Sequence, residues 1–289
     1  RLCKIYKPDI VHTWDFVSSF YALFVCKILR IPMINGSIRH GVRLNKISHR
    51  LRSYLARVSP YVLANSEVSL DVNGLKKDKR HFVLYNGVDH KFKKKHNKKI
   101  GKFSKHIPSI KNKIVLTSVS RLTPYKDYFT VIKSLLMLKK SGYNFLYQII
   151  GDGPMKQEIT RNIQENGLED NVKLLGSKKN IEEYLSEADI FIHSSKGEGC
   201  SNVILEAMYS GLPIIATDTG GTKEIVTSDN GLLFEYKNSD DLYEKLKYLI
   251  DNSEIRDKFS KNSMKVVEEK FTSAIMLKNY IKILNMIKK

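Results

Sequence analysis

The chain has 289 residues, 42% of them hydrophobic, and carries 49 Lys and Arg against 30 Asp and Glu, a formal charge of +19. That length can bury two cores, and the composition is that of a folded globular chain rather than a low-complexity one. No apolar run of about 18 residues is present to cross a bilayer as a helix, and Cys3, Cys26 and Cys200 form neither a disulfide framework nor a zinc pattern, which fits a reducing, cytoplasmic compartment.

The charge is uneven. Residues 1–113 hold 25 Lys and Arg against 6 Asp and Glu, and the rest of the chain holds 24 of each. A basic half calls for an anionic partner: a membrane surface, a nucleic acid or a charged substrate. The competing reading is that the lysines only keep the protein in solution. A nucleic-acid surface would need aromatic residues interleaved with the basic ones, and none is expected.

In chain order, Arg1–Lys7 reads as a helix end, Asp9–Trp14 as a strand and residues 16–30 as a helix that is apolar nearly all round. Strands follow at 32–35, 61–64 and 81–85, with helices at 45–58 and 67–76. The Lys-rich tract 91–113, holding Gly101 and Pro108, reads as a boundary. A second series then begins. Strands are expected at 114–119, 145–150, 172–175, 190–192, 213–216 and 231–234. Helices are expected at 127–140, 155–166, 181–187, from Ser201 onward, and at 240–250, 253–269 and 273–288, with a turn at 222–226. Alternation of this kind predicts α/β architecture with parallel sheets. The expected division is 1–110, 111–272, and a last helix, 273–289, returning to the first domain. Its apolar stripe is Ala274, Ile275, Leu277, Tyr280, Ile281, Leu284 and Ile287.

The chemistry concentrates where strands of the second series end. Glu198 falls on the loop leaving strand 190–192, between Gly197 and Gly199, and Glu206 falls within the following helix. The carboxyl ends of strands are where α/β sheets bind ligands, and a helix N-terminus at Ser201 and Asn202 suits an anion. Arg121 and Lys126 flank Pro124 after strand 114–119; a guanidinium fork and an ammonium there can clamp a diphosphate. Gly151-Asp-Gly153-Pro and Gly220-Gly221 end two further strands with loops a ligand can approach. Each feature alone also reads as ordinary surface or turn chemistry; four together in one half of the chain point to a site. No carboxylate pair is spaced as a metal clamp, and His12, His40 and His193 stand isolated along the sequence.

With these residues assembled, the chain resembles the family 4 glycosyltransferases. The motifs are Ser120-Arg-Leu-Thr-Pro-Tyr-Lys126, Gly151-Asp-Gly-Pro154, the Glu198-x7-Glu206 pair and Gly220-Gly with Glu224. In the first half, 8–12, 64–66 and 86–89 also match. The resemblance implies a GT-B fold, two Rossmann-like domains with the first incomplete, and transfer of a sugar from a nucleotide-sugar with retention of configuration. Arg121 and Lys126 would hold the donor diphosphate without a metal, Glu198 the sugar hydroxyls and Glu206 the ribose. Gly151, Gly153, Gly199 and the backbone of Cys200, Ser201 and Asn202 would complete the donor site. The family's first βαβ unit with its Gly-rich loop is not matched. Where the family often has a histidine, the segment reads Asn35-Gly-Ser-Ile-Arg39-His40, so that role is either vacant or shifted to Arg39 or His40. No cofactor is implied beyond the nucleotide-sugar substrate. The acceptor would be a polysaccharide or lipid-linked sugar at the inner face of a membrane. The alternatives are a non-catalytic module of the same fold and a nucleotide-sugar epimerase.

Overall fold

The computed structural model describes residues 2–43, 47–93 and 113–288. The Lys-rich boundary expected at 91–113 lies mostly outside them. Alternating strands and helices lay down two parallel sheets. After α1 (Leu2–Tyr6), the first sheet runs β1 (Val11–Thr13), β2 (Met33–Ile38), β3 (Tyr61–Ala64) and β4 (His81–Val83) in that spatial order. Its crossovers are α2 (Phe16–Leu29), α3 (Ile47–Val58) and α4 (Glu67–Asp71).

The second series is β5 (Ile114–Val119), α5 (Tyr128–Lys140), β6 (Phe145–Ile150), α6 (Lys156–Glu165), β7 (Val172–Gly176), α7 (Ile181–Glu187), β8 (Ile190–His193), α8 (Asn202–Tyr209), β9 (Ile214–Thr217) and β10 (Gly231–Phe234). Three helices follow: α9 (Ser239–Asp251), α10 (Ser253–Lys270) and α11 (Ser273–Lys288). The sheet order is β10-β9-β8-β5-β6-β7. The chain therefore builds outward from β5 on one side, then returns to build outward from β8 on the other. Between β5 and β8 lies the switch point, where consecutive loops diverge and leave a crevice.

Both faces of this sheet are covered, which is why its strands read as continuous apolar runs rather than alternating ones. Every residue of β6 and of β8 is buried. Leu116, Ile132, Phe145 and Tyr147 fill one face under α5 and α9, and Phe191, Ile204, Met208 and Ile214 fill the other under α8 and α10. Asp127 caps α5 by accepting from the Thr130 amide, a contact worth about 1 kcal/mol.

The first sheet departs from the sequence expectation in three places. Strand β2 runs on through Gly36 and Ser37 to Ile38, with a register shift against β3 between Asn35 and Ile38. The irregularity turns Ile38 to the opposite face from Ile34: Ile38 packs with Val62 and Leu70, Ile34 with Leu63. The helix expected over 67–76 stops at Asp71, because Asn73 and Gly74, the latter at φ +69°, end it with the Leu75 amide bonded to the Leu70 carbonyl. On α11 the buried stripe is rotated from the expected one. Tyr280, Ile283, Leu284 and Ile287 pack against Ile34 and Leu63, while Leu277 and Ile281 face solvent. Helix α11 thus covers one face of the first sheet, and Lys288 reaches Asp9 at 3.0 Å.

Candidate active site

The β5–β8 crevice brings Lys126 and Glu198 together although 72 positions separate them, with Lys126 Nζ donating to Glu198 Oε1 at 2.5 Å. His193, the last residue of β8, sits 3.2 Å from the other carboxylate oxygen through its Nε2. Burial first, and the Lys126 ammonium next, push the His193 imidazole below its ordinary range, so it is neutral. A neutral ring that keeps its proton on Nε2 donates to Glu198, and the 3.4 Å approach of Lys126 Nζ to the same nitrogen is then a contact between two donors. Burial opposes ionisation of Glu198, but the partners on its two oxygens, His193 and Lys126, outweigh it and hold the carboxyl well below the usual range. Glu198 is therefore a fixed carboxylate with both oxygens engaged. Lys126 has two further N–H bonds to aim into the crevice.

The loop carrying Glu198 is also where the two sheets meet. The Glu198 carbonyl accepts from the Gly221 amide at 2.8 Å, and the Gly199 amide donates to the Arg39 carbonyl at 3.2 Å. Asn86 Nδ2 reaches the Cys200 carbonyl at 2.8 Å and Asn202 Oδ1 at 2.7 Å. Glu224 crosses from the second sheet to the N-terminus of α4. It accepts from the Glu67 and Val68 amides at 2.9 and 2.8 Å and from the Tyr85 hydroxyl at 2.8 Å. A carboxylate on two first-turn amides is the favoured partner of a helix N-terminus.

The remaining expected residues divide. Cys200 and Ser201 are buried, and among the described residues the amides of Cys200, Ser201 and Asn202 at the start of α8 bond no protein acceptor. The Cys200 thiol is pushed up to about 12 by burial, so this residue offers its backbone rather than its sulfur. The Gly199 amide, by contrast, is spent on Arg39. Glu206 lies half-buried in α8, and burial pushes its carboxyl up to about 7, with Lys91 opposing and Glu182 adding to the shift. Arg121 is exposed after β5, with no acidic partner among the described residues. Gly151 and Gly153 have a structural reason beyond ligand approach. A Cβ on Gly151, at φ +142°, would stand 1.9 Å from the Ser120 carbonyl, and one on Gly153 would stand 2.3 Å from that of Leu122. The two glycines let one crevice loop lie flat on the other. Arg39 and His40 are both exposed at the end of β2; Arg39 lies against Trp14, and His40 is lowered by burial and then by Arg52 and His49, with Glu198 opposing.

Sequence reasoning does not single out His193, Tyr85, Asn65 or Asn86 as site residues. His193 has one usable signal, its position at the carboxyl end of a buried strand five residues before Glu198. The two asparagines stand in the matched segments 64–66 and 86–89, but nothing along the chain tells that Asn86 reaches Cys200 and Asn202; Tyr85 has no signal, since its partner Glu224 lies far along the chain. Among the described residues no three His, Cys, Asp or Glu side chains group as metal ligands.

The architecture is that of known GT-B structures. The structure of Anabaena HepE in complex with UDP matches with a TM-score of 0.85 at 23% identity, over 98% of this chain and 80% of that one, a likeness of fold. Over residues 99–266 the chain matches the family model described as glycosyl transferases group 1, well over half its length, and it belongs to that family. It is 28% identical over 239 residues to the N-acetylgalactosamine-N,N'-diacetylbacillosaminyl-diphospho-undecaprenol 4-alpha-N-acetylgalactosaminyltransferase of Campylobacter jejuni, covering 81% of this chain and 62% of that relative. It is 26% identical over 269 residues to the UDP-Gal:alpha-D-GlcNAc-diphosphoundecaprenol alpha-1,3-galactosyltransferase of Escherichia coli, covering 87% of this chain and 69% of that protein. The chain thus spans less than two thirds of the Campylobacter relative's length.

Proposed function

We propose that this protein is a retaining glycosyltransferase of the family 4 type. It moves a sugar from a nucleotide-sugar to a polysaccharide or lipid-linked acceptor without a metal. The observation that carries this is the Lys126–Glu198–His193 assembly at the sheet's switch point, on the loop that leads into the open amides of α8. When the bond from the anomeric carbon to the diphosphate breaks, the leaving group takes the electron pair and the negative charge. Lys126, Arg121 and the α8 amides are donors already in place for that charge, and preorganised donors of this kind usually contribute more to the rate than any other feature of a site. Glu198 has both oxygens committed, so it anchors sugar hydroxyls rather than attacking the anomeric carbon. Bond formation on the face the leaving group vacates follows, with the acceptor's proton passing to the departing phosphate. The diphospho-undecaprenol sugars named for the two relatives support a lipid-linked acceptor here.

The test is release of nucleoside diphosphate from a panel of UDP-sugars, in the presence and absence of excess chelator. Sugar-dependent release that survives chelation is expected. Complete loss, restored by Mg²⁺ or Mn²⁺, would contradict the cation-only site.

Glu206 makes donor binding pH-dependent. Burial pushes its carboxyl up to about 7, so it titrates in the neutral range. Only the carboxylate accepts two ribose hydroxyls, so affinity for UDP is expected to rise as pH goes from 6 to 8. Glu206→Gln should flatten that profile. Calorimetry across the range checks it, and a pH-independent wild-type affinity would remove the ribose role.

An anionic membrane is the partner that the first half fits. Residues 16–66 hold eight Lys and Arg and no Asp or Glu. On α3, Ile47, Leu51, Tyr54 and Val58 lie exposed along one side, and α2 exposes Val17, Tyr21, Phe24 and Ile28. An apolar stripe among cations is the pattern of a helix lying in a lipid interface, with each cation worth about 1 kcal/mol near an anionic leaflet. No described helix is long and apolar enough to cross a membrane. Co-sedimentation with anionic vesicles at low salt, lost as salt rises, is the expected result; equal binding to neutral vesicles would remove the electrostatic part.

A further inference from the structure

A second cavity opens beside the Glu198 loop, on the first-sheet side. It measures about 270 Å³ and is lined by Trp14, Arg39, Asn65, Asn86, Asn202 and Met276, among others. Its size matches the low end of small-ligand pockets, roughly 300 Å³. Arg39 gives it its character. The guanidinium lies over the Trp14 indole, 4.5 Å from the ring centroid, and no Asp or Glu among the described residues pairs with it. Although Arg39 is exposed, partial burial holds its guanidinium below the ordinary range, and an anion beside it would offset that cost.

The residues behind Arg39 fix where it points. Trp14 packs on His12 with ring centroids 4.2 Å apart, and His12 Nδ1 is 2.6 Å from the Tyr280 hydroxyl of α11. His12 is pushed down to about 4 by burial and then by Arg39, so it adds no competing charge. Gly36 leaves room for this ring: a Cβ there would come within 2.6 Å of His12 Nε2. The guanidinium thus rests on an aromatic ring whose neighbours tie it to the C-terminal helix, and its planar fork suits bidentate recognition of phosphate in a way that a lysine cannot reproduce. Asn202 joins the cavity to the start of α8, where the donor is placed above.

We propose that this cavity is the acceptor's phosphate subsite. Arg39 holds the phosphate or diphosphate of a phosphorylated acceptor, and Trp14 is the positioning residue against which the guanidinium packs. The assignment rests on the glycosyl-transfer reading but does not share its donor residues. A donor diphosphate offers the same chemistry, so the test must separate the two.

Trp14 is the chain's only tryptophan, so its emission reports directly on Arg39. The whole protein is first titrated with UDP by calorimetry. Octyl diphosphate and octyl β-glucoside are then titrated into the UDP-saturated protein while Trp14 emission is followed. Octyl diphosphate is expected to bind at least tenfold tighter than the glucoside. Arg39→Gln should abolish that advantage, and Arg39→Lys should lose most of it despite keeping the charge. UDP affinity should stay within twofold in both variants, and their melting temperatures should match the wild type. Unchanged octyl diphosphate affinity in Arg39→Gln, or no wild-type preference over the glucoside, overturns the proposal. A parallel loss of UDP affinity overturns it too, by assigning Arg39 to the donor. If the wild type takes no UDP, the donor reading fails separately, and the octyl diphosphate titration still decides the role of Arg39.

Discussion

Replacing Lys126 by alanine should lower kcat/KM by about 100-fold or more, on the order of 3 kcal/mol of transition-state stabilisation. In the proposed reaction the ammonium has two jobs. It supplies donors for the charge that develops on the leaving diphosphate, and it is one of the two partners that keep Glu198 ionised and fixed. Alanine removes both. Glu198 is left with His193 alone, free to turn away from the sugar. Because the two side chains act as a unit, Lys126→Ala with Glu198→Gln should cost little more than the worse single change. Steady-state kinetics on the two single variants and the double variant check this. A change of less than threefold in Lys126→Ala, or fully additive losses, would separate Lys126 from the chemistry.

Gly41→Ala is expected to lower activity at least tenfold while leaving the melting temperature within about 2 °C. Gly41 sits where the first sheet's loop touches the second. Its Cβ would stand 2.0 Å from the Glu198 carbonyl and 2.6 Å from the Gly220 Cα. Both obstacles are backbone, so neither can swing away. Relief comes from parting the two sheets at the crevice rather than from unfolding either, which is why stability should be spared. Parting them also breaks the Gly199–Arg39 bond and draws the cavity away from the donor loops. Loss of orientation of this kind raises KM and lowers kcat together. Wild-type kinetics in Gly41→Ala would show that this contact is not used in turnover.

Much of the second half is legible in the sequence because its signals are local. Buried parallel strands show as apolar runs, and the loops that follow them show as Gly, Pro and charge. Glu198, Lys126 and Glu206 can therefore be placed at strand ends and on α8 from the sequence alone. That Lys126 and Glu198 form a pair is not legible, since it depends on β8 returning to lie beside β5. His193 is hidden for the same reason: along the chain it is an isolated histidine, and only the fold puts it on Glu198. In the first half the signals are weaker. Strands of three or four residues set no long pattern, and the irregularity of β2 at Gly36–Ser37 flips the face of Ile38 without altering the apolar spacing. Glu224 stands out as part of a motif, but its partners, the α4 amides and Tyr85, lie about 140 to 160 positions away. Trp14 over Arg39 belongs to the same class, a contact between the ends of two neighbouring strands.

The most direct test of the donor site is a crystal of the protein soaked with UDP. Density for the diphosphate is expected between Arg121, Lys126 and the amides of Cys200, Ser201 and Asn202, with the ribose on Glu206 and the Arg39 cavity left clear of it. Diphosphate density on Arg39, or a ribose away from α8, would contradict this placement.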